Sequence, residues 1–143
     1  MDILITKISD QQHSLRICRL DNSAEEAILN SRSFLRHDLA HLAVEMEVPL
    51  TRGYWGSVAT GASLSGMDIR GQEIVIAEAL SGPVQTLMRM EADIDEYSDI
   101  LQRIQPELAT EDLATRIWSK ARQLQGHWKA TWFGGEMAIH WPQ

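Results

Sequence analysis

His37 and His41 stand four residues apart in the run His37-Asp38-Leu39-Ala40-His41, and Glu45 follows four residues later. On a helix such residues share a face, which sets the two imidazoles about 6 Å apart along the axis. This is the spacing by which the HExxH motif of zincins grips one ion through two imidazole nitrogens. Asp38 holds the place of the zincin general base, so it is the candidate catalytic residue. Its side chain is one methylene shorter than Glu and falls about 1.5 Å short of an ion-bound water, a displacement that can cost roughly 100-fold in rate. Either the site is shaped for Asp38 or this residue is not a base. Glu45 lies about 12 Å beyond His37 along a straight helix, too far to share its ion. It is better placed to orient His41 by accepting the other ring N–H. A third ligand then comes from a neighbouring element, with Glu78 the candidate and Glu73 behind it. Zn²⁺ is the first ion expected of such a set, although two histidines do not exclude Ni²⁺ or Fe²⁺.

A helical projection sharpens the case. With Phe34 at zero and about 100° per residue, the stripe Leu35, Leu39, Leu42, Met46 centres near 110°. His37, His41, Glu45 and Asp38 gather around 350° in the same frame, flanked by Phe34 and Val48 rather than by a solvated polar face. A helix covered on both sides would hold this cluster in a sheltered cleft. The competing reading is a structural network in which His37, His41 and Glu45 only hydrogen-bond one another, since two histidines four apart also arise by chance.

The stretch RSFLRHDLAHLAVE, with the later GYWG and the C-terminal GGEMAIHW, resembles a family of small bacterial proteins that share an HDxxHxxVE signature. The likeness extends over most of the chain and implies no particular activity. The HDxxH core also resembles that of the zinc-binding ubiquinone-biosynthesis family. There a Glu follows the second His by twelve positions, where this chain has Gly53. Other motifs fail. The glycines at 56, 61, 66 and 71 have no following Lys-Ser or Lys-Thr, so they form no phosphate cradle. GASLSG around Ser63 is not a GxSxG elbow. His37-Asp38 with His13 and Asp93 or Asp99 would make an HD phosphohydrolase set, but His13 reads as part of a turn, whereas that family takes its ligands from helices.

The positioning elements follow from periodicity. Ile3 to Ile8 and Leu15 to Cys18 read as two strands, joined by a turn at Asp10-Gln11-Gln12-His13 and followed by one at Asp21-Asn22-Ser23. Residues 24–30 read as a third strand. A helix follows from about Ser33 to Glu47, capped by Ser31 or Ser33 and stopped before Val48-Pro49. Residues 50–71 form a glycine-rich loop with a helical turn near Val58–Ala62, and a helix covers Gln72–Leu80. Ser81-Gly82-Pro83 then breaks the chain before a long helix from Val84 to Ile104, where Leu87, Met90, Ile94, Tyr97, Leu101 and Ile104 fall on heptad positions. Thr110 caps a last helix that opens with Glu111 and Asp112 and ends at Gly126. The tail predicts a hairpin, with Trp128, Ala130 and Trp132 in one strand and Met137, Ile139 and Trp141 in the other. The expected fold is α+β: one domain over residues 1–143, with a small antiparallel sheet from N-terminal and C-terminal hairpins and a layer of about four helices.

The 143 residues carry 20 acidic against 13 basic side chains, a net charge of −7, which argues against nucleic acid or an anionic membrane as partner. The single Cys18 excludes an internal disulfide and a zinc site built of cysteines alone. No 18-residue apolar run and no signal-peptide pattern is present, so a cytoplasmic protein is expected. The heptad seam offers at most a weak homodimer. The tryptophans of the tail either fill the core or form a binding platform, and the acidic run Asp93, Asp95, Glu96, Asp99 reads as a solvated face. Two functions remain: a metal-dependent hydrolase of small-molecule or peptide substrates, or a non-enzymatic interaction or regulatory module.

Overall fold

Strict alternation builds the sheet. Strands β1 (Asp2–Lys7), β2 (Gln12–Cys18), β3 (Ala24–Asn30) and β4 (Glu136–His140) pair antiparallel in the order β3-β2-β1-β4. The register sets Ile3 against Ile17 and Ile139, and Ile5 against Leu15 and Met137. All six are buried, so one face of the sheet is apolar throughout, as a period of two requires. The computed structural model describes residues 1–48, 50–90 and 93–142, and of Met90 and Glu111 the backbone alone. Pro49 as a helix stop, Met90 as a heptad residue and Glu111 as a first-turn acid therefore lie outside the described residues.

The turn at 21–23 is where the sequence puts it, with Asn22 at a φ of 67° that asparagine tolerates. His13, read as part of a turn, is instead the second residue of β2 and fully buried. The first helix opens with a π-helical turn at Ser31–Leu35 and continues as α1 (Arg36–Glu47). Its cap is Asn30 rather than Ser31 or Ser33: the Asn30 carbonyl oxygen accepts from Arg32 N at 3.0 Å and Ser33 N at 3.3 Å. Residues Asp38 to Glu45 of α1 are buried without a break, which is the sheltering on both sides that the projection requires.

Around α1 pack α2 (Tyr54–Ala59), α3 (Gln72–Met90) and α5 (Glu111–Ala130), and α4 (Ile94–Ile104) packs on α3 and α5. Three expectations are corrected here. The helical turn of the glycine-rich segment begins at Tyr54, not near Val58. Helix α3 runs unbroken through Pro83; Gly82 before it has no Cβ to clash with the proline ring, and burial of Leu80, Ser81 and Val84 holds the flanking turns. The long heptad helix is two helices, because Asp93 adopts extended backbone and accepts from Asp95 N at 2.9 Å to open α4. Tyr97 and Leu101 still face the core, and the acidic residues 93, 95, 96 and 99 are exposed.

The C-terminal hairpin is also corrected. Helix α5, capped by Thr110 as expected, continues past Gly126 and takes in Trp128 and Ala130. A glycine inside a helix costs only about 1 kcal/mol against alanine, which packing overrides. Only β4 remains of the hairpin, and it pairs with β1, so the chain's two ends meet at one edge of the sheet. Of the tryptophans, Trp55, Trp118 and Trp141 are in the core and Trp132 is 85% exposed. No helix among the described residues is long and apolar enough to cross a membrane.

Candidate metal site

Helix α1 carries His37 and His41 one turn apart, and α3, packed beside it, brings Glu78 across from them. Glu78 Oε1 lies 3.3 Å from His41 Nε2, and Glu78 Oε2 lies 3.7 Å from His37 Nε2. One ligand atom from each residue falls within 4.8 Å of the others, so the three form a group that could hold a metal ion. Ligands of a tetrahedral zinc stand about 3.3 Å from one another, close to the two distances seen.

Each histidine is backed by a carboxylate on its other nitrogen. His41 Nδ1 lies 3.0 Å from Glu45 Oε1, and His37 Nδ1 lies 3.2 Å from Asp38 Oδ1. In its neutral form an imidazole that donates through Nδ1 has a lone pair on Nε2 to offer an ion, and both Nε2 atoms lie within 3.7 Å of a Glu78 oxygen. His41 is wholly buried, and its Nε2 makes no hydrogen bond with a protein group; the Glu78 oxygen is near but off the hydrogen-bond direction. Burial by itself lowers the His41 pKa, but Glu45 and the facing Glu78 outweigh it and raise it to about 9. The same contact with His41 holds the Glu78 carboxyl below its usual range.

Glu45 does more than touch His41. Its Oε1 also accepts from Tyr54 N at 2.7 Å, and its Oε2 accepts from Trp55 N at 2.9 Å and Gly56 N at 3.4 Å. The buried carboxylate thus satisfies the first N–H groups of α2, which carries no capping side chain of its own. Gly53 makes this possible: a Cβ there would stand 2.6 Å from the Glu45 carboxylate. That is the position where the ubiquinone-biosynthesis motif carries its third ligand, so in this chain it serves close approach instead. Gly56 is needed as well, since its Cβ would meet Thr51 O at 2.3 Å. The Tyr54 ring packs edge-on against His41 with centroids 5.9 Å apart, and burial pushes its phenol up. Its hydroxyl donates to Leu64 O at 2.6 Å.

The remaining candidates lie elsewhere. Glu73 is not in the cluster; it accepts the backbone N–H of Arg52. His13 bonds Ser31 Oγ at 2.9 Å through Nδ1, and its buried Nε2 has no partner. An apolar cavity of about 400 Å³, bounded by Met46, Leu50 and Trp141, shares only Glu45 with the cluster. The cluster itself opens on its outer side, where the His37 side chain is 34% and that of Glu78 54% exposed. Sequence reasoning missed the amides of Tyr54, Trp55 and Gly56. The close glycines in Gly53-Tyr54-Trp55-Gly56 were the available signal. Compared with protein-family models, with curated proteins and with solved structures, the chain matches none.

Proposed function

We propose that this protein is a single-ion metalloprotein in which His37 Nε2, His41 Nε2 and the Glu78 carboxylate hold one divalent cation, and that the centre serves metal-assisted hydrolysis. The observation that carries the reading is His41 Nε2: fully buried, 3.3 Å from a Glu78 oxygen yet without a hydrogen bond, with its ring fixed from behind by Glu45. A buried polar atom left without a partner is disfavoured by about 1–3 kcal/mol, and an ion satisfies it. Two His and one Glu with an open outer side are the donor set of catalytic rather than closed structural zinc sites. When bound, such an ion supplies a nucleophilic water near neutral pH and polarises a substrate carbonyl. Zinc is the first candidate on ligand chemistry, and the geometry does not select against its neighbours in the divalent series.

Asp38 takes a different part from the one its zincin-like position suggests. Its carboxylate stands at the Nδ1 edge of His37, away from the nitrogen offered to the ion. This supports an orienting role like that of Glu45 toward His41. The non-enzymatic reading retains one supporting observation, since Glu45 makes its four bonds without any ion.

Metal content decides between them. Purified protein is expected to take up one equivalent of zinc and to melt higher with zinc than with chelator. His37→Ala, His41→Ala and Glu78→Gln should each remove that difference. No stoichiometric uptake, with identical melting in zinc and in chelator, would leave the structural network as the function of these residues.

A further inference from the structure

The electrostatics of the cluster point to the ligand it accepts. Three carboxylates surround the two imidazoles: Glu78 facing them, Asp38 at 3.2 Å behind His37, and Glu45 at 3.0 Å behind His41. Asp38 and Glu45 are buried, so solvent screens them little. No lysine or arginine among the described residues lies within 4.0 Å of any of the three; the arginine ion pairs instead join Arg19 to Glu25 and Arg116 to Glu47 and Asp112. Arg36, next in sequence to His37, lines a separate cavity with Leu87, Met88 and Trp118. The hydroxyl of Tyr54, whose ring packs on His41, donates to Leu64 O. A divalent ion in this setting, with no lysine or arginine among the described residues paired to its carboxylates, leaves the centre net negative, whereas sites for transferring phosphoryl groups hold them with cations.

We infer that the centre selects its ligands by charge, accepting an uncharged carbonyl group, an amide or an ester, and turning away phosphate and other anions. The inference rests on the metal reading above and gives it a substrate class. The donor set alone is indifferent between these classes, because open two-His, one-carboxylate sites polarise carbonyl and phosphoryl oxygens alike. The three carboxylates without a cation decide between them. An unscreened elementary charge several ångströms from a bound anion is worth about tenfold in affinity.

The test uses the full chain loaded with cobalt, whose visible bands report directly on the ligands of the ion. At pH 8, imidazole as the neutral probe is expected to shift the bands, while inorganic phosphate and azide do so only at much higher concentration. Asp38→Asn keeps an oxygen to accept from His37 and removes one charge. It should bind azide about tenfold more tightly than wild type with imidazole unchanged. Glu45→Gln should move azide in the same direction, and serves where Asp38→Asn loses cobalt. Phosphate binding to wild type as tightly as imidazole would overturn the inference while leaving the metal site standing, as would azide affinity indifferent to the removed charge. Failure of wild type to take up cobalt would overturn the metal reading and this inference with it.

Discussion

Gly53→Ala puts the coupling between the cluster and α2 to a sharp test. The Gly53 backbone, at φ −69° and ψ −159°, is open to alanine, so the substitution adds no backbone strain. The added Cβ would fall 2.6 Å from Glu45 Cδ and Oε2 and 2.8 Å from Oε1, where ordinary contact begins near 3.4 Å. The carboxylate must therefore retreat by a good part of an ångström, and it is held by His41 Nδ1 and three backbone N–H groups. Hydrogen bonds to a charged group are worth about 1.5–3 kcal/mol each, and overpacking typically costs about 1–3 kcal/mol. A loss of about 3 kcal/mol is expected, or about 6–12 °C in Tm for a chain of this size. Urea denaturation of the four members of a cycle with Glu45→Ala measures the coupling. In the Glu45→Ala background the clash is gone, and alanine should be neutral or stabilising by up to about 1 kcal/mol through the unfolded chain. Gly126→Ala is the control, because it lies inside α5 with nothing within 4 Å of its Cβ; it should stabilise by about 0.5–1 kcal/mol. If Gly53→Ala loses less than about 0.5 kcal/mol, or loses the same amount in both backgrounds, the clamp between Glu45 and α2 is not what holds this segment.

Three further outcomes are expected. In metal-free protein the His41 pKa stands raised to about 9, so its contribution is complete below pH 6.5 and is lost as the pH rises through 9. That contribution is of order 3 kcal/mol; urea midpoints in chelator at pH 6 and pH 9 should show it in wild type and not in His41→Gln, and an unchanged pH dependence in the variant would refute it. Glu45→Gln should weaken zinc binding by about 10–100-fold in a competition titration, because a carboxamide orients His41 less firmly; unchanged affinity would separate Glu45 from the ion. Pro83→Ala should stabilise α3 by about 1–2 kcal/mol, since it restores a backbone donor inside a continuous helix, and a destabilised variant would show that the ring packs usefully.

Much of the fold lies in local patterns. The alternation of Ile3, Ile5, Leu15 and Ile17 marks the strands, and the period of the leucines in α1 puts both histidines on one side of a helix, because these repeats depend only on backbone geometry. That Glu78 of α3 stands beside the histidines follows from the packing of α3 on α1. The same local signals misled at Pro83 and Gly126, where a breaker costs a helix about 1–3 kcal/mol and burial of several apolar side chains outweighs it. They misled again at Trp128 and Trp132, whose alternation fits a strand in isolation. In the folded chain the last strand pairs with β1 from the opposite end of the sequence, and no local pattern encodes that contact. The part of Glu45 was legible only by half. Its spacing from His41 is a helical repeat, but its grip on Tyr54, Trp55 and Gly56 exists only once the glycine-rich segment folds back against α1. A carboxylate's neighbours within one helix follow from the chain's own geometry, whereas its neighbours across a loop depend on how the whole core closes around it.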